Sequence, residues 1–92
     1  MHLEIVTPEA TLFSGEVTSV AVPGVEGEFQ MLNNHAAIVS LLGPGTVKVW
    51  GDMNLEEEVA DKFTKAKDGT TRLEINSGTV EMRDNKVIVL AD

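Results

Sequence analysis

Ninety-two residues, 42% hydrophobic and 24% charged, make one small folded domain and exclude a disordered chain. Zero cysteines exclude a disulfide frame, thiol chemistry and zinc-finger spacing, and there is no run of about 18 apolar residues to span a membrane. The net charge is −8, and residues 1–47 hold five acids and no Lys or Arg, which disfavours nucleic acid and anionic membrane surfaces and favours a basic protein partner.

The N-terminus, MHLEIVTPE, has no basic region and no long apolar stretch, so no signal peptide is expected and the expected compartment is the cytoplasm. Residues 2–7 alternate, with Leu3 and Ile5 on one side, and read as a strand that Thr7-Pro8-Glu9 ends. Residues 10–14 form a short connection or strand ending at Phe13. Gly15 then opens a strand to Val22. Val17 has one parity there while Val20 and Val22 have the other, so a bulge is expected near Thr18-Ser19. Pro23 to Ala37 begins with a proline turn and carries Gly24 and Gly27, with Glu26 and Glu28 on the rim of a loop. A short strand over 28–32 follows, with Phe29 and Met31 inward. It breaks at Asn33-Asn34, a pair that tolerates positive φ. Residues 36–42 fit helix or strand by periodicity; their shortness, Ile38-Val39 and the Gly43-Pro44-Gly45 stop favour a strand. Residues 46–50 alternate with Val47 and Val49 inward.

Residues 51–72 allow two readings. Leu55, Val59 and Phe63 fall at i, i+4 and i+8, and Asn54 with Glu57 resembles a capping box, which fits a helix. Asp68-Gly69 is a hairpin turn signal, which fits a strand near 59–67 paired with one starting at Thr70. The strand is favoured. Residues 71–76, 79–83 and 86–90 are three further strands, and Val87 to Leu90 is apolar on both faces, as in a central strand. Short strands with turn signals at this spacing predict an all-β fold, a small antiparallel β-sandwich of about 8–10 strands.

Catalytic chemistry finds little support. His2 and His35 are the only histidines; His2 is at the terminus and expected to be exposed, and His35 has no carboxylate placed beside it by sequence. Glu26 and Glu28 share a face and could act as a carboxylate pair, but a solvated loop rim accounts for them more simply. Glu56-Glu57-Glu58 is a solvated charge run. No phosphate-binding loop occurs, and no catalytic residue, cofactor or metal is assigned. Pattern alone leaves a protein-binding adaptor ahead of a small hydrolase.

Five motifs in order resemble the N-terminal domain of the epsilon subunit of F-type ATP synthases. They are Phe13-Ser14-Gly15, Gly24-Val25-Glu26-Gly27-Glu28, His35-Ala36-Ala37-Ile38, Pro44-Gly45 and the closing SGTVEMRDNKVIVLAD. The resemblance covers residues 2–49 and 73–92 and treats 51–72 as an insertion within one domain spanning 1–92. It implies a non-catalytic rotor subunit of the central stalk, monomeric alone and present once per complex, on the cytoplasmic side of the membrane. Its implied partners are the gamma subunit and the c-ring, coupling proton-driven rotation to ATP synthesis. It implies c-ring contact through Val25, Glu26, Gly27 and Glu28, and gamma contact through Thr7, His35 and Ser40. Two departures accompany it. The family reads P-G-H-A-P where this chain has Asn33-Asn34-His35-Ala36-Ala37. Longer members continue past the position of Asp92 into a helical hairpin that inhibits hydrolysis, so coupling without that brake is expected here.

Overall fold

Period-two alternation divides nearly every strand into a buried and an open side, and the fold stacks the buried sides together. The computed structural model describes residues 1–92 and contains ten strands: β1 (His2–Val6), β2 (Thr11–Glu16), β3 (Ser19–Gly24), β4 (Gly27–Leu32), β5 (Ile38–Leu42), β6 (Gly45–Trp50), β7 (Phe63–Lys65), β8 (Thr71–Ile75), β9 (Gly78–Arg83) and β10 (Lys86–Ala91). They form one continuous sheet in the order β2-β1-β10-β9-β5-β3-β6-β8-β7, with β4 paired to the other side of β3. The junction of β5 with β3 is a single rung, Gly24↔Leu42. There the sheet folds over, and its halves pack as the two layers of a sandwich.

The first layer's inward rows follow from register. Leu3, Val87, Met82 and Ile38 lie in one row, and Ile5, Val89, Val80 and Ser40 in the next. Val20, Val22, Met31, Val47, Val49, Leu73 and Ile75 face them from the second layer and belong to the same buried cluster. Every pairing is antiparallel except β1 with β10, which is parallel and joins the first strand to the last.

Four expectations need correction. First, Gly15 does not open a strand; it lies inside β2, packed over the Phe13 ring. Second, the parity change between Val17 and Val20 is a change of layer. Val17 donates its N–H to Met1 O in the first layer at 2.9 Å, while Thr18 donates to Trp50 O in the second at 2.7 Å. The bulge sits earlier, where Ile5 pairs with Phe13 but Val6 with Thr11, so Leu12 is skipped and both Leu12 and Phe13 are buried. Third, Met31 and Phe29 both face the core as expected, but only Met31 is fully buried; Phe29 is partly so, because it lies near the turn end of the β3–β4 hairpin. Fourth, residues 59–67 do not form one strand. Val59 is buried, Ala60–Lys62 make one turn of 3-10 helix, and β7 holds only Phe63–Lys65. No helix opens at Asn54, since residues 54–56 are irregular and 57–59 a turn, so the capping-box reading of Asn54 with Glu57 fails too. Leu55, Val59 and Phe63 do reach the core, but from an irregular stretch, a turn and the start of β7 in place of one helix. The Asp68-Gly69 turn is present as expected, with Gly69 at φ 88° and Ala66 N–H donating to Thr70 O.

Candidate docking interface

The two layers turn different outer faces to solvent. On the first, register aligns Val6, Leu90, Thr79 and Leu41 in one row and Glu4, Ile88, Glu81 and Val39 in the next. The β3–β4 hairpin extends the first row, because Val25 donates its N–H to Leu41 O at 3.2 Å. Val39 is 72% exposed, Leu41 62%, Val25 60% and Leu90 50%. Four of the five exposed large apolar residues thus share one face, and the fifth, Leu32, is on β4. Exposed apolar side chains gathered on one face, here interspersed with Thr79, Glu4 and Glu81, mark an interaction site.

The second face is paired within itself. Lys48 Nζ lies 3.1 Å from Glu28 Oε1, and Gln30 Nε2 donates to Ser19 Oγ at 3.1 Å. Thr46 Oγ1 donates to Glu74, and Arg72 meets Asp68 Oδ2 at 2.9 Å. The Thr70 hydroxyl, then the Thr70 N–H and the Arg72 guanidinium, hold the Asp68 carboxyl down at about 2, against an ordinary 3.8.

The acidic hairpin joins the apolar face at its Val25 end. Two glycines shape it. A Cβ on Gly24 would lie 2.8 Å from Gly27 O and 2.9 Å from the Phe29 ring, and Gly27 has φ 130°. A hollow of about 360 Å³ is lined by Gly24 to Phe29 together with Ser40. The structure therefore brings Val25, Glu26, Gly27 and Glu28 together with Ser40. It does not bring Ser40 together with Thr7 and His35. Ser40 belongs to the inward row beside Val80. Thr7 closes the β1–β2 turn, its hydroxyl donating to Ala10 O at 3.1 Å, beyond the Val6–Leu90 rung. His35 follows Asn34, whose N–H donates to Asn85 Oδ1 at the other end of β10. Its exposed ring donates from Nδ1 to Ala36 O at 2.8 Å.

Glu28 lies against Lys48 and Glu26 is exposed, as on a solvated loop rim. His2 Nε2 is 3.3 Å from Ser14 Oγ and His2 Nδ1 3.4 Å from Glu16 Oε2, a serine–histidine–acid order that sequence reasoning missed because the pairing of β1 with β2 creates it. None of the larger cavities is lined by these three residues. No group of three His, Asp or Glu side chains is close enough to hold a metal ion. The apolar patch was also missed as a site, although its signal was present: IVSLL in β5 and VIVL in β10 are apolar on both parities.

Residues 1–61 match the family described as "ATP synthase, Delta/Epsilon chain, beta-sandwich domain". The chain is 39% identical over 92 residues to the ATP synthase epsilon chain of Campylobacter curvus (strain 525.92), spanning 100% of this chain and 60% of that one. It is 37% identical over 90 residues to the ATP synthase epsilon chain of Chlorobium limicola, covering 98% of this chain and 86% of that one. In fold it resembles a chain of the central stalk and c-ring structure of the Tetrahymena thermophila mitochondrial ATP synthase. The TM-score is 0.73 at 16% identity, over 99% of this chain and 62% of that one. Against the Campylobacter relative, then, the chain spans somewhat less than two thirds of the other protein's length.

Proposed function

This chain belongs to the ATP synthase delta/epsilon β-sandwich family, and on that premise we propose that it is a non-catalytic central-stalk subunit of a proton-translocating F-type ATP synthase. It couples rotation of the c-ring to ATP synthesis by holding the gamma subunit and the ring together. The observation that carries this reading is the exposed apolar face of β10, β9 and β5 running into an acidic hairpin. One surface offers an apolar area to one partner and charge to another.

The hairpin residues Val25, Glu26, Gly27 and Glu28 meet the polar loops of the ring, where a basic residue complements the acids. Thr7, His35 and Ser40 are the gamma-side positions carried by the resemblance. Val39, Leu41 and Leu90 add the apolar area between them. Within these 92 residues we assign coupling only, and no element of them to inhibition of hydrolysis. Residues 51–72 are the segment of this single domain that departs from the family pattern. The subunit works at the cytoplasmic side of the membrane, held there by its partners; no helix in the chain is long and apolar enough to cross a membrane.

Reconstitution with purified gamma subunit and c-ring tests the assignment. Leu41→Asp is expected to weaken gamma binding and leave ring contact through the hairpin in place. Glu26→Lys is expected to weaken ring attachment. Glu26 is the cleaner choice over Glu28, whose reversal would also break the pair with Lys48. If wild-type chain recovers neither gamma nor ring from membranes, the proposal fails and an adaptor with another basic partner takes its place.

A further inference from the structure

The sandwich is joined along one side and open along the other. At the open side the first layer ends in β2, paired only with β1. The second layer ends in β7, which pairs with β8 only from Thr71 to Leu73. Glu74 and Ile75 run past it with no strand on that side. A cleft of about 450 Å³ opens where Leu73, Glu74 and Ile75 of β8 face Leu12 at the start of β2, walled by the β1–β2 turn, Lys62 and the end of β10. Its volume is within the usual range for binding pockets of roughly 300–1,000 Å³.

The cleft floor is apolar. Leu12, Leu73 and Ile75 line it and are themselves core residues, 4–6% exposed. Its rim carries Glu9, Glu74 and Asp92, against a single cation, Lys62. None of the three acids forms an ion pair with this chain's own cations. Glu74 accepts only from the Thr46 hydroxyl and Asp92 from the Ser77 hydroxyl.

Three observations therefore coincide: the unpaired edge of β8 at Glu74 and Ile75 facing the start of the β2 edge at Leu12, an apolar floor beside them, and uncompensated acids above it. An unpaired edge offers a row of backbone donors and acceptors to an incoming chain. Alternate side chains of a strand point to opposite sides. We propose that this cleft is a strand-addition site for an extended, basic peptide segment of a partner, with apolar side chains directed at the floor and alternate Lys or Arg side chains at the rim. A helix would satisfy the floor but leave both edges unpaired. This site is separate from the apolar outer face and stands whether or not that face binds gamma.

The test is an amide NMR titration of the 92-residue chain with the capped peptide Lys-Val-Lys-Val-Lys. The proposal expects shifts and slowed hydrogen exchange in β2 and at Glu74 and Ile75. Glu9→Lys with Glu74→Lys should weaken binding by about tenfold or more, roughly 1.4 kcal/mol. Ala10→Trp, a substitution at an exposed turn position that fills the cleft, should abolish it. Lys-Val-Pro-Val-Lys should bind more weakly, since proline offers no N–H to an edge. The idea is overturned if the basic peptide causes no shifts, if its shifts fall elsewhere on the acidic surface, or if Glu-Val-Glu-Val-Glu binds equally well. Equal binding by the proline peptide would also overturn it, because backbone pairing would then play no part.

Discussion

The two outer faces of this sandwich are built from the same kind of strand and differ in whether their side chains find partners at home. On β3, β4, β6 and β8, Glu28 has Lys48, Gln30 has Ser19, Glu74 has Thr46, and Asp68 has Thr70 and Arg72. On β10, β9 and β5, Leu90, Leu41 and Val39 stand open with nothing over them. The first arrangement satisfies most of its polar groups at home, leaving Leu32 exposed and Glu74 without an ion pair; the second leaves apolar area that only another protein would remove from water. The contrast separates stability from association. Substitutions on the paired face should register modestly in folding, and those on the open face should register in binding.

The scale is set by the core that both faces share, where the largest effect is expected. Met31→Ala should destabilise the fold by about 2–5 kcal/mol, as for a buried methionine in a packed core. Urea unfolding followed by the fluorescence of the sole tryptophan, Trp50, measures it. Phe29→Ala, from the same strand, should cost less than the roughly 3–5 kcal/mol of a fully buried ring, because Phe29 is only partly buried. If Phe29→Ala proves the more damaging of the two, the hairpin end is packed more tightly than the burial pattern indicates.

Next comes the open face. Leu41→Asp should change stability by no more than about 0.5 kcal/mol, as for an ordinary surface site, yet weaken gamma binding about tenfold or more, which is some 1.4 kcal/mol. Calorimetry on both counts would break the comparison if stability falls and binding holds. On the paired face, Lys48→Ala should cost about 0.2–1 kcal/mol, as for an exposed ion pair, and the loss should shrink in high salt.

The smallest effect concerns acid. The Asp68 carboxyl titrates lower in the folded chain, at about 2, than its ordinary 3.8. Its contribution is therefore complete above about pH 4 and is lost as the pH falls toward 2. Asp68→Asn should therefore lower stability modestly above about pH 4, with the deficit shrinking as the pH falls toward 2, so that the pH dependence in that window flattens. A mutant that loses stability equally at pH 3 and pH 7 would show that the turn geometry, and not the charge, is what Asp68 supplies.

Strand alternation carried most of the fold. β1, β4, β5, β6, β8, β9 and β10 fall close to where periodicity and turn residues place them. What failed were places where tertiary neighbours override the local pattern. Val17 and Thr18 look like a flaw within one strand until the two layers exist to receive them. Leu55, Val59 and Phe63 have helical spacing yet reach the core from an irregular stretch, a turn and the start of β7. The acidic hairpin was legible, because Gly24 and Gly27 are needed for a close approach and a positive φ. The apolar face was legible only in part, since an apolar residue at an outward parity looks the same in sequence as one in a strand covered on both sides. The cleft was not legible at all; it depends on which strands end the sheet.

The parallel pairing of β1 with β10 has a consequence for how the molecule is made. Leu3 lies against Val87 and Ile5 against Val89, so the first strand of this domain waits for its tenth. Until β10 emerges from the ribosome, β1 has only its hairpin neighbour β2, and its other edge and its apolar side stay open. Sheets that depend on such distant partners fold slowly, and their exposed edges invite misassociation in the interval. β10 is also central to its layer, holding β1 on one side and β9 on the other. A nascent chain stalled before Lys86 would thus lack the strand that joins its opening hairpin to the rest of the sheet, and should be a substrate for chaperones or proteases until translation resumes.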